Sequence, residues 1–143
     1  NGVVLQETKP EVLARPLTER TAALMRCMLS EVTREGGTGT RAAIPGYSVA
    51  GKTGTAEKLA AGHYVKDENV SSFMGLVPAE RPQIGIIVVL DNPTDPVTRL
   101  RTGGITAAPV FAQIAAPVAR YLDICPVDAN ELVYYQQILA GEP

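Results

Sequence analysis

Residues 46–58 read GYSVAGKTGTAEK and contain the pattern on which the interpretation of the chain depends. Apolar and polar residues partly alternate over 47–53, which indicates a short β-strand. Within this stretch, Gly46–Thr53 matches the phosphate-binding loop G-x-x-x-x-G-K-[ST] letter for letter. Lys52-Thr53-Gly54 matches a tripeptide signature of one group of serine enzymes. The two motifs share residues, so their surroundings must decide between them.

The residues around the motif favour an edge strand over a phosphate-binding loop. A phosphate-binding loop follows a buried strand and opens a helix. The preceding residues 42–45 (AAIP) are too few to form that strand, and they end in a proline. Gly54 is a poor residue for the first turn of a helix. On an edge strand, the Lys52 ammonium supplies positive charge, threonine hydroxyls hold a carboxylate, and Gly54 allows close approach to the backbone. Nucleotide binding is kept as an alternative.

The flanking sequence predicts helices on either side of a block of strands. Thr18 caps a helix that begins at Glu19, and the helix must stop by Gly36-Gly37. Strands are predicted at 47–53, 70–77 and 84–90, and the polar stretch 56–69 is predicted to be an exposed excursion. Since a short turn joins the last two strands, they form an antiparallel hairpin, and the fold class is α+β.

Further elements are predicted at the two ends and after the strands. The continuous β-branched run 84–90 predicts a strand that is buried on both faces. A helix is expected from Thr106, with a kink or an end at Pro117. Residues 2–6 resemble a short strand, and Asp128 with Glu131 indicates a capping box for a last helix through Leu139.

Length, composition and charge exclude several classes of protein. The 143 residues predict one domain, and a net charge of −2 gives no basic surface for nucleic acid. The longest apolar run is too short for a membrane span. We expect Cys27 and Cys125 to be unpaired thiols, and we expect no metal or cofactor. The first residue is not Met, and we expect the chain to be a piece of a longer protein.

Beyond the tripeptide, the chain resembles the class B penicillin-binding proteins, the monofunctional peptidoglycan DD-transpeptidases. The similarity is collinear and strongest over residues 18–122, whereas 123–143 match nothing and are treated as an extension. The segments that carry it are GTGT at 37–40, GYSVAGKTGTAEK at 46–58, GHY at 62–64, SFMGLVP at 72–78, GG at 103–104 and AAPVF at 107–111.

Two of the three motifs of that family are absent from this chain. None of its four serines, Ser30, Ser48, Ser71 and Ser72, begins Ser-x-x-Lys or Ser-x-Asn. Both motifs precede Lys-Thr-Gly in the family. The resemblance therefore implies that residues 1–143 are the C-terminal portion of a transpeptidase domain of the penicillin-binding-protein/β-lactamase-like fold. The serine nucleophile is expected upstream of Asn1, and this chain alone is expected to be inactive.

The resemblance implies a role for each residue of the motif. Lys52 supplies charge to the proton network around the serine, and the Thr55 backbone N–H forms half of an oxyanion hole. Thr53 and Thr55 hydroxyls bind the terminal carboxylate of the donor, and Gly54 lets the strand approach the acyl group. The implied partners are peptidoglycan stem peptides, β-lactams and the upstream part of the same domain. The implied location is the periplasmic face of the membrane, with an upstream anchor and a role in cell division.

A non-catalytic interaction domain that keeps the motif is the remaining alternative. In either case about three strands come from this chain, and the strand 84–90 is expected to have an unpaired edge. An exposed apolar edge is a template for pairing with another chain. We therefore expect self-association through 84–90, or a cover supplied by residues 1–6 or 128–139.

Overall fold

A computed structural model describes residues 11–126 continuously, the backbone alone at Lys66, and the single residues 2, 6, 7, 9, 133, 136, 137 and 140. Its elements are α1 (Glu19–Ser30), β1 (Ala50–Ala60), β2 (His63–Val77), β3 (Ile84–Asp91) and α2 (Gly103–Tyr121). Short 3-10 turns lie at Glu31–Thr33 and Thr40–Ala42. The strand predicted at 2–6 and the helix predicted at 128–139 lie outside the continuously described range.

The strands form one antiparallel sheet in the order β1-β2-β3 within the described residues. This arrangement confirms the α+β class. The first helix begins as predicted, because the Thr18 hydroxyl accepts a hydrogen bond from the Thr21 N–H at 3.1 Å and so caps its N-terminus. Among the described residues, no helix is long and apolar enough to cross a membrane.

The stretch 56–69 is exposed, as predicted, but the prediction that the strands stop on either side of it is wrong. β1 and β2 continue as a hairpin through this stretch, with Glu57 opposite Asn69 and Leu59 opposite Tyr64. Ala61 and Gly62 make the turn at φ 51° and 82°. Most of these residues are solvent-exposed. No apolar face is buried here, so the sequence lacks the alternation by which a strand is normally found.

The structure also excludes the phosphate-binding loop. Gly51, Lys52 and Thr53 lie inside β1, paired with residues 73–75 of β2, and β1 is followed by a turn and another strand. A phosphate-binding loop would require these residues to open a helix whose N-terminal N–H groups face the ligand. The hypothesis of nucleotide binding at this motif is therefore wrong.

The hydrophobic core lies between α2 and one face of the sheet. The rings of Phe73 in β2 and Phe111 in α2 are tilted against each other with centroids 4.9 Å apart. Gly75 leaves the space for this contact, since an added Cβ would lie 2.5 Å from Phe111 Cζ. The register places Phe73 opposite Val88 of β3, so β3 contributes its even-numbered side chains to the same core.

The prediction that 84–90 is buried on both faces is wrong within the described structure. Ile86, Val88 and Leu90 face the core, but the opposite face carries Ile87 at 66% and Val89 at 58% exposure. In addition, β3 has a strand partner on one side only among the described residues, as expected. An apolar face and an edge of the same strand are therefore open in this part of the molecule.

Helix α2 begins earlier and ends later than predicted. It starts at Gly103 rather than Thr106 and continues through Pro117 to Tyr121. Proline removes the hydrogen bond to the residue four positions earlier, which here is the exposed Gln113, whose carbonyl solvent can reach. Ala115 and Ala119 are fully buried on either side of Pro117, and their packing keeps the helix on the sheet.

Candidate functional site

The Lys52–Thr55 motif lies on the edge of β1 that has no strand partner within the described residues. Lys52 is exposed, and its Nζ donates to the Thr53 carbonyl at 2.9 Å. This contact indicates that the carbonyl points away from β2. Because N–H and C=O groups two residues apart along a strand point to the same edge, the Thr55 N–H is directed to the open edge as well.

The Thr53 hydroxyl is positioned by the glycine-rich loop after α1. Thr38 Oγ1 lies 3.1 Å from Thr53 Oγ1, so one hydroxyl donates to the other and the second proton remains available to a ligand. Gly39 fixes this loop, since its N–H donates to the Val32 carbonyl at 2.8 Å. A side chain there would approach the ring of Phe73 to 2.8 Å. Loop and core therefore fix the position of Thr38.

The Thr55 hydroxyl is positioned by the first residue of α2. The Gly103 N–H donates to Thr55 Oγ1 at 3.1 Å, which occupies an acceptor position and leaves the hydroxyl proton free to be donated. The helix and the strand are in van der Waals contact here, because a Cβ on Gly103 would lie 2.5 Å from the Gly54 carbonyl oxygen. Glycine at 103 is thus required by the close approach of two backbones, whereas a Cβ at position 54 would meet the Ser72 hydroxyl at 2.5 Å.

Together these groups make up a candidate site for an anion. The ammonium of Lys52 and the hydroxyls of Thr53 and Thr55 belong to one four-residue stretch of β1, and α2 directs its N-terminus at Thr55. The N-terminus of a helix carries a partial positive charge that favours a carboxylate. The arrangement is suited to hold a carboxylate beside an open strand edge that offers backbone N–H groups.

The segment between β3 and α2 is held by its own hydrogen bonds. Asp95 accepts from the backbone N–H groups of Val97 and Thr98, the latter at 2.7 Å, and faces Arg41 Nη1 at 3.5 Å. The hydrogen bonds from Thr98 are the main reason that the pKa of Asp95 lies below its ordinary value. The buried Ser71 hydroxyl donates to the Arg101 carbonyl and so fixes the end of the segment close to Gly103.

The structure therefore brings together the residues predicted from the motif. The sequence analysis assigned no role to the two residues that orient their hydroxyls. Thr38 orients Thr53, and Gly103 orients Thr55. The pair Gly103-Gly104 at the start of a helix was a usable signal, because glycine is unfavourable there and marks a close backbone approach.

No group of three or more His, Cys, Asp or Glu side chains that could hold a metal ion exists within the described ranges. His63 is exposed at the start of β2. Both cysteines are free thiols; Cys27 is half-buried and Cys125 is exposed.

A family model described as the penicillin-binding protein transpeptidase domain matches residues 2–116. The chain belongs to this family. Among curated relatives, it is 38% identical over 112 residues to the probable peptidoglycan D,D-transpeptidase PenA of Neisseria gonorrhoeae, which covers 78% of this chain and 19% of PenA. It is 36% identical over 110 residues to stage V sporulation protein D of Bacillus subtilis, covering 77% and 16% respectively.

Solved structures of the same family share the fold. The apo transpeptidase domain of Burkholderia pseudomallei penicillin-binding protein 3 matches with a TM-score of 0.66 and 37% identity, over 76% of this chain and 32% of that one. Penicillin-binding protein 3 of Mycobacterium tuberculosis, solved with ampicillin, matches with a TM-score of 0.69 and 32% identity, over 87% and 29%. These matches confirm the resemblance to class B penicillin-binding proteins. The chain spans about a fifth of these curated relatives and a third of these solved chains.

Proposed function

We propose that this chain supplies the carboxylate-binding strand and half of the oxyanion hole of a serine-type peptidoglycan D,D-transpeptidase. The observation that carries the proposal is the open edge of β1, where Thr53 and Thr55 hydroxyls are oriented by Thr38 and Gly103 beside the Lys52 ammonium. The family match over residues 2–116 supports the same conclusion. In this proposal, residues 1–143 are one part of the transpeptidase domain and the nucleophilic serine belongs to another part.

The reaction is an acyl transfer in two steps. The serine oxygen attacks the carbonyl carbon between the two terminal D-alanines, the C–N bond breaks, and D-alanine leaves with the proton taken from the serine. An amine of a second stem peptide then attacks the ester and forms a new amide, and the serine regains its proton. Lys52 stabilises the proton transfers by its charge, and the Thr55 N–H donates to the oxygen that becomes negative.

The hydroxyls act on the end of the donor that does not react. The donor's terminal carboxylate accepts a hydrogen bond from Thr55, whose proton is free because the Gly103 N–H uses an acceptor position of its hydroxyl. It accepts a second hydrogen bond from the hydroxyl of the Thr38–Thr53 pair whose proton is not used within the pair, and in this proposal that hydroxyl is Thr53. This places the neighbouring amide at the strand edge. A β-lactam carries an equivalent carboxylate, and the Mycobacterium tuberculosis relative was solved with ampicillin and with aztreonam.

Replacing Thr55 by valine tests the carboxylate contact. A hydrogen bond to a charged group contributes about 1.5–3 kcal/mol, so labelling of the full-length protein by a fluorescent penicillin should slow by about 10- to 100-fold. Thr55→Ser keeps the hydroxyl and should label close to the wild-type rate. The isolated 143-residue chain, which has no Ser-x-x-Lys, serves as the unlabelled control. Equal labelling of Thr55→Val and wild type would contradict the assignment.

The proposal also covers the substrates, the inhibitors, the location and the biological role, which are inferred from the names of the relatives and from the candidate site. Substrates are peptidoglycan stem peptides, and β-lactams act as inhibitors. In the proposal, the site works outside the cytoplasmic membrane, and an upstream segment of the full-length protein anchors it there. The match to an FtsI homolog of Nephroselmis olivacea, 42% identical over 84 residues, favours a role in division. Absence of penicillin labelling in the full-length protein would instead favour a non-catalytic interaction domain.

The isolated chain should self-associate through β3. Ile87 and Val89 are more than half exposed, and the outer edge of β3 has no strand partner within the described residues. Sedimentation of the isolated chain is therefore expected to show concentration-dependent association, and Ile87→Lys should reduce it because a charge on an edge strand opposes pairing. Val97→Lys, at an exposed loop position, is the matched control. A monomer at all concentrations would contradict this expectation.

A further inference from the structure

The residues that lead into the motif strand are held by contacts with three different parts of the molecule. We call residues 46–49 the lead-in segment, because β1 begins directly after them at Ala50. Val49 and Ala50 are 3% and 1% exposed, so the chain enters the core before it reaches the candidate site. Lys52 follows Val49 by only about 10 Å of extended chain. The position of the lead-in segment therefore determines where the candidate site lies.

Two of these contacts join residues that lie inside the family match. The Val49 carbonyl accepts a hydrogen bond from the Thr33 hydroxyl at 2.9 Å, which ties the lead-in segment to the turn after α1. The Ser48 hydroxyl accepts from the Ala79 N–H at 2.9 Å and donates to the Glu80 carboxylate. Ser48 thus ties the lead-in segment to the turn between β2 and β3. All of these residues belong to the range that the family model covers.

The third contact comes from the C-terminal extension, residues 123–143. The Tyr47 hydroxyl donates to the Ile124 carbonyl at 2.9 Å, and Ile124 lies beyond residue 116, where the family match ends. The Ile124 N–H donates to the Ala119 carbonyl at 2.9 Å, which holds Ile124 at the end of α2. Pro126 lies next to Gly46, since a Cβ added to Gly46 would be 4.0 Å from Pro126 Cβ. The start of the extension therefore lies against the lead-in segment.

The extension also borders a cavity beside the lead-in segment. This cavity of about 400 Å³ lies between the end of α1 and the lead-in segment, and its walls include Cys27, Ser48, Val49 and Gln136. Gln136 belongs to the extension, so a second part of the extension comes close to the lead-in segment. Cys27 is half-buried and carries a free thiol. The rate at which Cys27 is alkylated therefore measures whether the extension covers this cavity.

We propose that the C-terminal extension holds the lead-in segment in the position that acylation requires, and that Tyr47 is the positioning residue through which it acts. This inference rests on the proposed function and adds to it a residue outside the Lys52–Thr55 motif. Tyr47 acts through the strand and not through a contact with the substrate. When its bond to Ile124 is lost, the groups of the motif occupy their productive positions for a smaller fraction of the time, and small misplacements of reacting groups are costly.

Replacing Tyr47 by phenylalanine in the full-length protein tests the hydroxyl separately from the ring. The ring packs against the hydrophobic core, and phenylalanine keeps it. Labelling by saturating fluorescent penicillin should slow by about fivefold, the factor that corresponds to the net contribution of one hydrogen bond. Tyr121→Phe, the same change at a tyrosine that is 86% exposed, is the matched control and should label at the wild-type rate.

Truncation of the full-length protein after Pro126 tests the extension itself. The truncated protein should label about as slowly as Tyr47→Phe, because in the proposal both changes release the same contact. Combining the truncation with Tyr47→Phe should slow labelling no further than the slower single variant, since changes that act through one contact are not additive. Independent, multiplying effects of the two changes would overturn the inference.

Alkylation of Cys27 provides a measurement that does not depend on activity. The truncated protein should react faster with iodoacetamide at Cys27 than the wild type, because exposure of a thiol controls its reactivity. Peptide mapping by mass spectrometry distinguishes Cys27 from Cys125, which is already exposed. Tyr121→Phe should leave the rate unchanged. Equal alkylation of Cys27 in the truncated and wild-type proteins would contradict the placement of the extension at the cavity and overturn the inference.

Urea unfolding of the same variants separates positioning from a purely structural role. A structural role would lower the midpoint of unfolding and leave the labelling rate of the folded protein at saturating penicillin unchanged, and that result would overturn the inference. If the wild type and Tyr47→Phe label equally, the inference fails and the proposed transpeptidase function stands. If the wild type is not labelled, the proposed function fails and this inference fails with it.

Discussion

Replacing Lys52 by alanine in the full-length protein is expected to slow penicillin labelling by about 10²–10⁴-fold, the usual range for loss of a group that assists proton transfer. Lys52 is exposed on the open edge of β1, and its ammonium reaches the carbonyl of Thr53. In the proposed mechanism, the substitution removes positive charge from the place where the serine loses its proton. The rate of labelling at saturating and at limiting penicillin separates an effect on chemistry from an effect on binding.

Lys58→Ala is the matched control for this experiment. It removes a lysine from the same strand, but the Lys58 ammonium pairs with Asp91 across the sheet. A partly exposed ion pair contributes about 1 kcal/mol or less, so Lys58→Ala should label at nearly the wild-type rate. Labelling of Lys52→Ala at the same rate as Lys58→Ala would remove Lys52 from the mechanism.

Replacing Gly104 by alanine is expected to lower the free energy of unfolding by about 2 kcal/mol or more, because the added methyl group has no space. A Cβ at this position overlaps the carbonyl oxygen of Thr38, which is backbone and cannot rotate away. The gain in helix propensity from glycine to alanine, about 1 kcal/mol, is too small to compensate. Urea unfolding of the full-length protein measures the loss.

The same substitution should also impair the site. To admit the methyl group, either α2 moves away from β1 or the glycine-rich loop moves away from α2, and the loop carries the hydroxyl that orients Thr53. Gly85→Ala is the control, since its Cβ would meet only the end of the Leu76 side chain at 3.2 Å. That variant should change the stability by about 0.5 kcal/mol or less. Similar losses in both variants would show that the contact with Thr38 is unimportant.

The fold was predictable from the sequence where a local motif or a buried face leaves a regular pattern of residues, and not where strands are exposed on both faces. Thr18 correctly predicted the start of α1, because helix capping depends only on residues that are close in the sequence. The hairpin beyond Thr55 escaped prediction because its two strands are exposed, so no periodic signal exists. The run 84–90 predicted two buried faces, and its exposed residues Ile87 and Val89 agree with the proposal that another part of a transpeptidase domain covers them.

The candidate site was predictable where its residues are consecutive. Lys52, Thr53, Gly54 and Thr55 form one short motif on one strand. The groups that orient them are distant in sequence, since Thr38 lies 15 residues before Thr53 and Gly103 lies 48 residues after Thr55. No local pattern connects such pairs. The early start of α2 was not predicted because glycine is unfavourable in a helix. Gly103 suits the contact with the sheet, and Gly104 suits the contact with the Thr38 carbonyl.

Helix α2 connects the hydrophobic core of the protein to the candidate site. Its first residue holds the Thr55 hydroxyl, and Phe111, eight residues later and about 12 Å along the axis, packs on Phe73 in the core. A substitution that shifts this aromatic pair by a fraction of an ångström therefore transmits the shift to Thr55. If the proposed function holds, core substitutions that contact neither substrate nor antibiotic are therefore expected to change the sensitivity to β-lactams.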